Sequence, residues 1–319
     1  MPHLSYGDVK AAADRIAGTV RPVTLAETGP GRWLALELMQ HTGSFKARGL
    51  QNFLQAHREA GTLPDTGVTI ASGGNAGLAC AWAARQQGVR ATVFVPTTAP
   101  AVKVAKLRGY GAEVRQTGSE YAEALAACQE FAAAGGALAA HAYDHPLIAA
   151  GAGTLLEEIH RQLPGLDTVV VAVGGGGLLA GVATAARQHG VRTVAVEPEH
   201  CRAFHAALAE GRPVDVPVDS VAADALGARR ATALALAAAR EGDVRSVLVP
   251  DAAIVRARRE LWDDRRLAVE HAAATALAAL DAGVGPGHGY RPEPGERVCV
   301  VLCGANTDPT DLATAPTGG

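Results

Sequence analysis

The chain has 319 residues, of which 48% are hydrophobic, and its formal net charge is −3. This length predicts roughly two domains with sizeable cores, and the balanced charge, without a clustered basic run, argues against nucleic acid or an anionic membrane as a partner. No apolar run approaches the roughly 18 residues of a spanning helix, and the polar N-terminus is unlike a signal peptide. Five cysteines without a CxxC pair argue against a disulfide framework or zinc site and favour a cytoplasmic protein.

Short runs rich in valine and isoleucine alternate with alanine-rich amphipathic runs along the whole chain. The short runs predict strands at Trp33 to Leu38, Val68 to Ala71, Ala91 to Val95, Ala112 to Arg115, Thr168 to Val173, Thr193 to Val196, Val244 to Val249 and Arg297 to Leu302. Helices with readable ends are predicted at residues 44–58, with Ser44 as the cap, and at 75–87, 101–108 and 177–188. This alternation is typical of open α/β layers. We expect a large domain of residues 1–50 and 141–319 and a small domain of residues 51–140.

Lysine is scarce in this chain, because only four of its 29 basic residues are lysines. Arginine therefore serves for ordinary surface charge, and a lysine among small residues, such as Lys46 in Thr42-Gly43-Ser44-Phe45-Lys46, is a candidate for amine chemistry. A desolvated lysine amine loses its proton and becomes nucleophilic, whereas arginine stays charged. The first turn of a helix also disfavours a protonated amine. The alternative for any single lysine is a solvated surface charge.

Three further segments put glycine or small polar residues where a predicted strand gives way to a helix, the position at which open α/β sheets bind ligands. Ser72-Gly73-Gly74-Asn75-Ala76-Gly77 offers amides and a hydroxyl that suit a carboxylate, and a helix cap is the alternative interpretation of Asn75. Four glycines at 174–177 fit the close approach of a phosphate, whereas a tight turn needs only one or two. Cys303-Gly304-Ala305-Asn306 places a thiol at a strand end, as a core residue or as a weak ligand contact.

A competing interpretation uses the same glycines. Gly175 to Ala180 has GxGxxG/A spacing, and Glu197 ends the next strand 20 residues after Gly177. This is the dinucleotide-binding fingerprint with its ribose-binding acid, and it favours a nicotinamide-dependent oxidoreductase. It accounts for neither Lys46 nor the segments around Asn75 and Cys303.

Taken together, the four segments resemble the serine/threonine dehydratases of the fold-type II pyridoxal-phosphate enzymes, in order and spacing, from about Asp8 to Asp308. The resemblance implies two open, twisted, mostly parallel sheets flanked by helices, as in the tryptophan synthase β fold. It implies a Schiff base between Lys46 and pyridoxal 5′-phosphate. The other implied cofactor contacts are Phe45 on one ring face, Asn75 at the 3′ oxygen, Cys303 facing the pyridine nitrogen, and Gly174, Gly175, Gly176 and Gly177 around the phosphate. The implied substrate contacts are Ser72, Gly73, Gly74 and Ala76, with Thr42 or Ser44.

The implied reaction is the elimination of water and ammonia from L-threonine or L-serine, which gives 2-oxobutyrate or pyruvate. Lys46 would act as the anchor of the cofactor and as the base that takes the Cα proton. Two alternatives stay open within the fold type, namely β-replacement and dehydration of a larger β-hydroxy amino acid. A protein that only binds cofactor or amino acid is a further alternative. A homodimer is the expectation from the family.

Several positions depart from the family pattern. Gly73 stands where racemases carry a serine, which argues against racemisation. Ala203 replaces the second acid of the family's cation site, which argues against magnesium and leaves a monovalent cation (K⁺ or Na⁺) held by Glu197 and backbone carbonyls.

Two departures concern the second half of the chain. Ala152 replaces the more usual glutamine, and Glu270-His271 replaces the usual glutamate-proline pair, so that a cofactor role for Glu270 is not predicted. Only 13 residues follow Asn306, too few for the regulatory domain of biosynthetic threonine deaminases. The sequence therefore favours the catabolic type, without isoleucine feedback.

Overall fold

The computed structural model describes residues 3–281 and 288–313. Runs of β-branched residues form the strands of this part of the chain, as expected for side chains that pack well on a pleated surface. The strands are β1 (Leu25–Gly29), β2 (Arg32–Ala35), β3 (Val68–Ala71), β4 (Ala91–Val95), β5 (Glu113–Gln116), β6 (Leu138–Ala139), β7 (Thr168–Ala172), β8 (Arg192–Pro198), β9 (Val244–Val249) and β10 (Val298–Val301).

Alanine-rich runs form the helices, because alanine has the highest helix propensity. The α-helices are α1 (Tyr6–Ile16), α2 (Lys46–Glu59), α3 (Asn75–Gln87), α4 (Ala101–Gly109), α5 (Tyr121–Gly135), α6 (Pro146–Gln162), α7 (Gly177–His189), α8 (Ala203–Glu210), α9 (Ala223–Leu226), α10 (Ala233–Glu241), α11 (Asp251–Arg265), α12 (His271–Ala278) and α13 (Thr310–Ala313). Two 3₁₀ turns, Glu37–Met39 and His41–Gly43, precede α2.

The strands form two sheets, as predicted. The large sheet has the order β1-β2-β10-β7-β8-β9 and is parallel except for β1, which pairs antiparallel with β2. The small sheet has the order β5-β4-β3-β6 and is parallel throughout. Every residue of β3, β4, β7 and β10 is buried, because helices cover both faces of such sheets. The two sheets confirm the predicted α/β class.

Each sheet has its own hydrophobic core. The core of the small sheet also takes in Leu50 and Phe53 from α2, together with Ile16 from α1 and Ile148 from α6. The small sheet itself uses only strands between residues 68 and 139. The domain boundaries at 50/51 and 140/141 stay a prediction, and helices from both sides of them contribute to this core.

Several elements differ from the sequence prediction. The strand predicted from Trp33 to Leu38 ends at Ala35, because the chain then turns into the 3₁₀ turn at Glu37. The helix predicted from Ser44 begins at Lys46. The strands β1 and β6 were not predicted, since β1 carries the polar sequence Leu-Ala-Glu-Thr-Gly and β6 has only two residues.

No helix within residues 3–281 and 288–313 has the length and apolar character needed to cross a bilayer.

Candidate active site

Two of the four segments singled out in the sequence meet at one edge of the large sheet. The strands β2 and β10 are parallel neighbours, so the segments that follow them leave the sheet side by side. Phe45 N–H donates to the Cys303 carbonyl at 3.0 Å, and Ala305 N–H donates to the Gly43 carbonyl at 2.9 Å. Ser44 forms an isolated antiparallel bridge with Gly304. These backbone contacts hold the lysine segment against the cysteine segment.

Lys46 is the first residue of α2, which confirms its predicted place in the first turn of a helix. Its side chain is half-buried, and Nζ lies 4.8 Å from the ring centroid of Phe45 and 5.8 Å from that of Tyr143. Nζ donates to the Ala142 carbonyl at 2.8 Å. Desolvation lowers the pKa of Lys46 from 10.5 to about 8, although the negative charges that Cys303 and Glu270 can carry oppose the shift. Near physiological pH this amine is therefore neutral far more often than a solvated lysine amine.

The segment just before Lys46 has an unusual backbone conformation and contains two buried hydroxyls. Thr42 has the left-handed φ of 65°, and the chain then becomes extended at Ser44. The predicted cap at Ser44 is wrong, because Phe45 is the residue that precedes α2 and no side chain caps the helix. The hydroxyls of Thr42 and Ser44 are both buried and have no hydrogen-bond partner among the described residues. Buried hydroxyls of this kind are rare and call for a ligand or an ordered water.

A buried carboxylate joins the second segment to the fourth. Asn75 Nδ2 donates to both carboxylate oxygens of Glu270, at 3.0 and 2.9 Å. Asn306 adds its backbone N–H to Glu270 Oε1 at 2.8 Å and its side-chain Nδ2 to Asn75 Oδ1 at 2.7 Å. The helix α3 is capped by Gly74 without a side-chain bond, so Asn75 is not the cap that the sequence also allowed. Its amide instead belongs to this network.

Glu270 was not predicted as a site residue. It lies immediately before α12, and its backbone N–H donates to the Gly304 carbonyl at 3.1 Å. Burial raises its pKa, which the hydrogen bonds from Asn75 and Asn306 partly offset. The only sequence signal was its match to the first residue of the family's glutamate-proline pair.

The glycine run 174–177 connects β7 to α7, and its four positions are each packed against another part of the chain. A Cβ on Gly175 would lie 2.2 Å from the ring of Tyr143, and one on Gly177 would lie 2.8 Å from the Tyr143 carbonyl. Gly176 has a φ of +96°, which L side chains rarely adopt. A Cβ on Gly174 would lie 3.1 Å from the backbone of Leu226. The turn thus needs more glycines than a simple strand-helix connection.

The loop from Ser72 to Gly77 folds back tightly on itself. Gly74 N–H donates to the Ser72 hydroxyl at 3.4 Å. A Cβ on Gly77 would lie 1.9 Å from the Ser72 carbonyl, whereas nothing lies within 4 Å of one on Gly74. A Cβ on Gly73 would approach Val95 Cγ1 to 3.3 Å. The loop therefore has an open side at Gly74, next to Asn75.

Cys303 is buried at the end of β10. Burial raises the pKa of its thiol to about 12, and the charge of Glu270 acts in the same direction. The thiol is therefore neutral at physiological pH, and at the end of β10 it can act as a weak hydrogen-bond partner.

Glu197 does not support the dinucleotide interpretation. Its carboxylate is fully buried and accepts the backbone N–H groups of Phe204 at 2.8 Å and His205 at 2.7 Å, at the start of α8. Burial raises its pKa to about 8. A ribose-binding acid has to face a cleft, and this one faces a helix end. Among residues 3–281 and 288–313, no group of three or more His, Cys, Asp or Glu side chains is placed to hold a metal ion. The monovalent cation at Glu197 stays a prediction.

A family model described as pyridoxal-phosphate dependent enzyme matches residues 20–304 of the chain. The chain belongs to this family. The nicotinamide interpretation is therefore wrong, and the family's cofactor is pyridoxal phosphate.

Curated proteins and solved structures of the pyridoxal-phosphate family resemble the chain over most of its length. The mouse protein named serine dehydratase-like is 38% identical and aligns over 86% of this chain and 84% of its own. The L-threonine ammonia-lyase of Geobacter sulfurreducens is 37% identical over 87% of this chain and 71% of its own. Maize serine racemase superposes with a TM-score of 0.86 at 26% identity, over 97% and 96% of the two chains. Threonine deaminase isoform 2 from Solanum lycopersicum gives 0.84 at 28% identity, over 96% and 85%.

The residues of the site fit the family's cofactor chemically. An aldehyde needs a neutral amine, and the pKa of Lys46 is lowered to about 8. A phosphate needs convergent backbone N–H groups. The glycine run leads into the N-terminus of α7, where no side chain caps the helix. The buried hydroxyls of Thr42 and Ser44 have no hydrogen-bond partner among the described residues and are further groups that can bind a ligand.

The lowered pKa of Lys46 predicts how the apoprotein takes up the cofactor covalently. The rate of covalent loading with pyridoxal phosphate is expected to rise with pH, with a midpoint at about 8 rather than 10.5, because only the neutral amine reacts. Growth of the visible absorbance band after mixing, in buffers of constant ionic strength, measures this rate. Replacement of Glu270 by Gln removes a charge that raises the pKa of Lys46, so that variant should have a lower midpoint. A midpoint near 10.5 would contradict the prediction.

Proposed function

We propose that this enzyme is a lyase that eliminates water and ammonia from L-serine or L-threonine, and that Lys46 is its catalytic residue. The observation that carries the proposal is the desolvated amine of Lys46, which lies near the rings of Phe45 and Tyr143 and is influenced by the charge of Glu270, the centre of the network with Asn75 and Asn306. The names of the similar proteins, serine dehydratase-like and L-threonine ammonia-lyase, point to the same reaction.

The cofactor contacts that we propose follow the four segments. Lys46 would bind the cofactor covalently, and Phe45 would lie against one face of its ring. Asn75, whose Nδ2 donates to Glu270 in the structure, would donate to the 3′ oxygen of the cofactor in place of Glu270. Cys303 would face the pyridine nitrogen, and the phosphate would be surrounded by Gly174, Gly175, Gly176 and Gly177. When bound, the cofactor supplies an electron sink for the negative charge that develops at Cα.

The protein supplies the base and the orientation of the substrate. The amine of Lys46 takes the Cα proton, a task for which a pKa near the working pH is favourable. The substrate carboxylate is bound by Ser72 and by the backbone around Gly73, Gly74 and Ala76. The unpartnered hydroxyls of Thr42 and Ser44 complete this set.

Cys303 favours elimination over transamination. Its thiol has a pKa of about 12 and stays neutral, so it lacks the negative charge with which a carboxylate would keep the pyridine nitrogen protonated. Beside a neutral thiol the bound ring would be less electron-poor, which would favour loss of the β-hydroxyl over the proton transfer to the cofactor that transamination needs.

Racemisation is the second candidate, because similar structures include serine racemases. A racemase needs an acid on the face opposite to Lys46, and the family's serine for this role is replaced by Gly73. A Cβ there would require Val95 to move by only a few tenths of an ångström. The site thus has room for a serine but lacks its hydroxyl, which favours the lyase.

The proposal is tested with a panel of amino acids and the loaded enzyme. We expect ammonia and the matching 2-oxo acid from L-serine or L-threonine, while the unreacted substrate keeps its L configuration on a chiral column. Release from phenylserine alone, or a replaced β-substituent in the presence of a thiol, would instead favour the other reactions of this fold type. If no amino acid releases ammonia, the enzyme is not a lyase.

Three further expectations belong to the proposal. All five cysteines are free and buried, which supports a reducing compartment such as the cytoplasm. A homodimer and a catabolic role stay predictions from the family. Activity in K⁺ compared with Na⁺ and with a bulky organic cation tests the monovalent cation at Glu197.

A further inference from the structure

Tyr143 lies in the connection between β6 of the small sheet and α6. The side chain is half-buried, and it is the aromatic residue that contacts the glycine run 174–177. Neither the four sequence segments nor the proposed reaction gives it a role.

The ring of Tyr143 packs against the glycine run 174–177. Its carbons Cε2, Cδ2 and Cζ lie 2.2–2.4 Å from the position that a Cβ on Gly175 would take, so only a glycine admits the ring there. The Tyr143 main chain also lies close to Gly177, where a Cβ would be 2.8 Å from the carbonyl oxygen. The ring and its backbone therefore follow the surface of the turn that the phosphate is proposed to use.

His141 fixes the orientation of this tyrosine. Its Nδ1 accepts the backbone N–H groups of Tyr143 at 3.2 Å and Asp144 at 2.8 Å. The two rings meet edge to face, with centroids 4.8 Å apart and an interplanar angle of 89°. The tyrosine is thus held by a short-range turn as well as by the glycines, and it is placed without help from a ligand.

The same turn brings Tyr143 to the reacting amine. Lys46 Nζ is hydrogen-bonded to the carbonyl of Ala142, the preceding residue, and lies 5.8 Å from the ring centroid of Tyr143. A base that removes a proton must come within about 3 Å of its carbon or of a bridging group. The ring centroid of Tyr143 lies 5.8 Å from Nζ. The ring can therefore make van der Waals contact with substrate atoms one or two bonds beyond Cα.

We propose that Tyr143 is a specificity-determining residue, whose ring forms the wall of the substrate pocket beside Cβ and restricts the enzyme to amino acids with small β-substituents. This inference rests on the proposed function, since it takes Lys46 as the base at Cα. Phe45 is the other ring near the amine, and it is already assigned to the cofactor.

The test compares three variants in the pyridoxal-phosphate-loaded enzyme. Tyr143→Phe keeps the ring carbons that touch Gly175, Tyr143→Leu shortens the wall, and Tyr143→Ala removes it. The binding probes are L-alanine and L-phenylalanine, which have no β-hydroxyl to eliminate, and their affinities are read from the visible absorbance of the bound cofactor. Turnover is measured as kcat/KM for L-serine and for L-threo-3-phenylserine.

We expect Tyr143→Ala to raise the phenylalanine-to-alanine affinity ratio, and the phenylserine-to-serine kcat/KM ratio, by about 10-fold or more, the usual effect of opening an apolar pocket. Tyr143→Leu should give a smaller rise, and Tyr143→Phe should stay within about 3-fold of the wild type. Equal losses for the small and the large ligand would mean that Tyr143 only supports the glycine run, and would overturn the proposal.

Two controls keep the outcomes separate. Thermal unfolding of the apoprotein shows whether each variant folds, and Tyr143→Leu carries the test if Tyr143→Ala does not. If the wild type releases no ammonia from any β-hydroxy amino acid, the proposed function fails, while the affinity ratio for alanine and phenylalanine still reports on the wall. If turnover is present and neither ratio changes, only the role of Tyr143 is wrong.

Discussion

Replacement of Lys46 by Ala is expected to lower turnover by about 10⁴-fold or more, since general-base catalysis alone contributes up to about 10⁴-fold and the covalent link to the cofactor is lost as well. Lys46→Arg is the matched control, because arginine keeps the positive charge but does not react with an aldehyde. Both variants should lack the absorbance band of the covalently bound cofactor. A loss of turnover of only about 10-fold in Lys46→Ala is well short of the effect of a general base. Such a result would contradict the assignment of Lys46 as the base.

The same substitution has an opposite effect on the stability of the apoprotein. The folded-state pKa of Lys46 is lowered from 10.5 to about 8, so between these values the unfolded chain binds more protons. The free energy of unfolding of the wild type should therefore rise as the pH rises from about 8 to 10.5. Lys46→Ala should lack this rise and should be more stable than the wild type at pH 7. Urea unfolding of the two apoproteins across this range measures the difference.

Replacement of Arg48 by Met is expected to cost about 3–5 kcal/mol of stability, because it leaves a buried carboxylate without its partner. Arg48 is fully buried and donates to both oxygens of Glu37, at 2.6 and 3.1 Å, and to both oxygens of Glu158, at 2.7 and 2.9 Å. Glu37 is as deeply buried as Arg48. Urea unfolding of the apoprotein at pH 7 measures the loss.

The dependence of this loss on pH identifies Glu37 as its source. Burial already raises the pKa of Glu37, and the charge of Arg48 opposes that shift. Without Arg48 the pKa of Glu37 rises further, so protonation relieves the loss as the pH falls. The double variant Arg48→Met/Glu37→Gln removes the buried charge and should recover most of the stability at pH 7. A loss that is the same at pH 5 and pH 7 would speak for a packing defect instead.

Local sequence was enough to predict the strands of the sheet interiors. Strands such as Val68–Ala71 and Ala91–Val95 have the predicted bounds, because continuous apolar runs that are buried on both faces have few alternatives. The lysine and cysteine segments follow β2 and β10, which are parallel neighbours. The two segments therefore leave the sheet at the same edge.

Side-chain partners across long sequence distances were beyond such reasoning. Glu270 meets Asn75 from 195 residues away, and neither residue's neighbours indicate the pairing. Serine is a common helix cap, but the bridge of Ser44 with Gly304 holds this residue extended, and α2 begins only at Lys46. Glu197 fits a ribose-binding spacing, but α8 folds onto it and takes both oxygens. In each case a tertiary contact overrides the local pattern.

The glycine run 174–177 has a consequence for the energetics of cofactor uptake. Its four positions are held by three separate parts of the chain, namely Tyr143, Leu226 and Ala235. These contacts are made by the protein alone, so the turn loses its conformational freedom when the chain folds. Pyridoxal phosphate would then meet a rigid cradle, and its affinity would carry no further ordering cost at this turn. A glycine-to-alanine change there should accordingly harm the folding of the apoprotein before it harms the binding of phosphate.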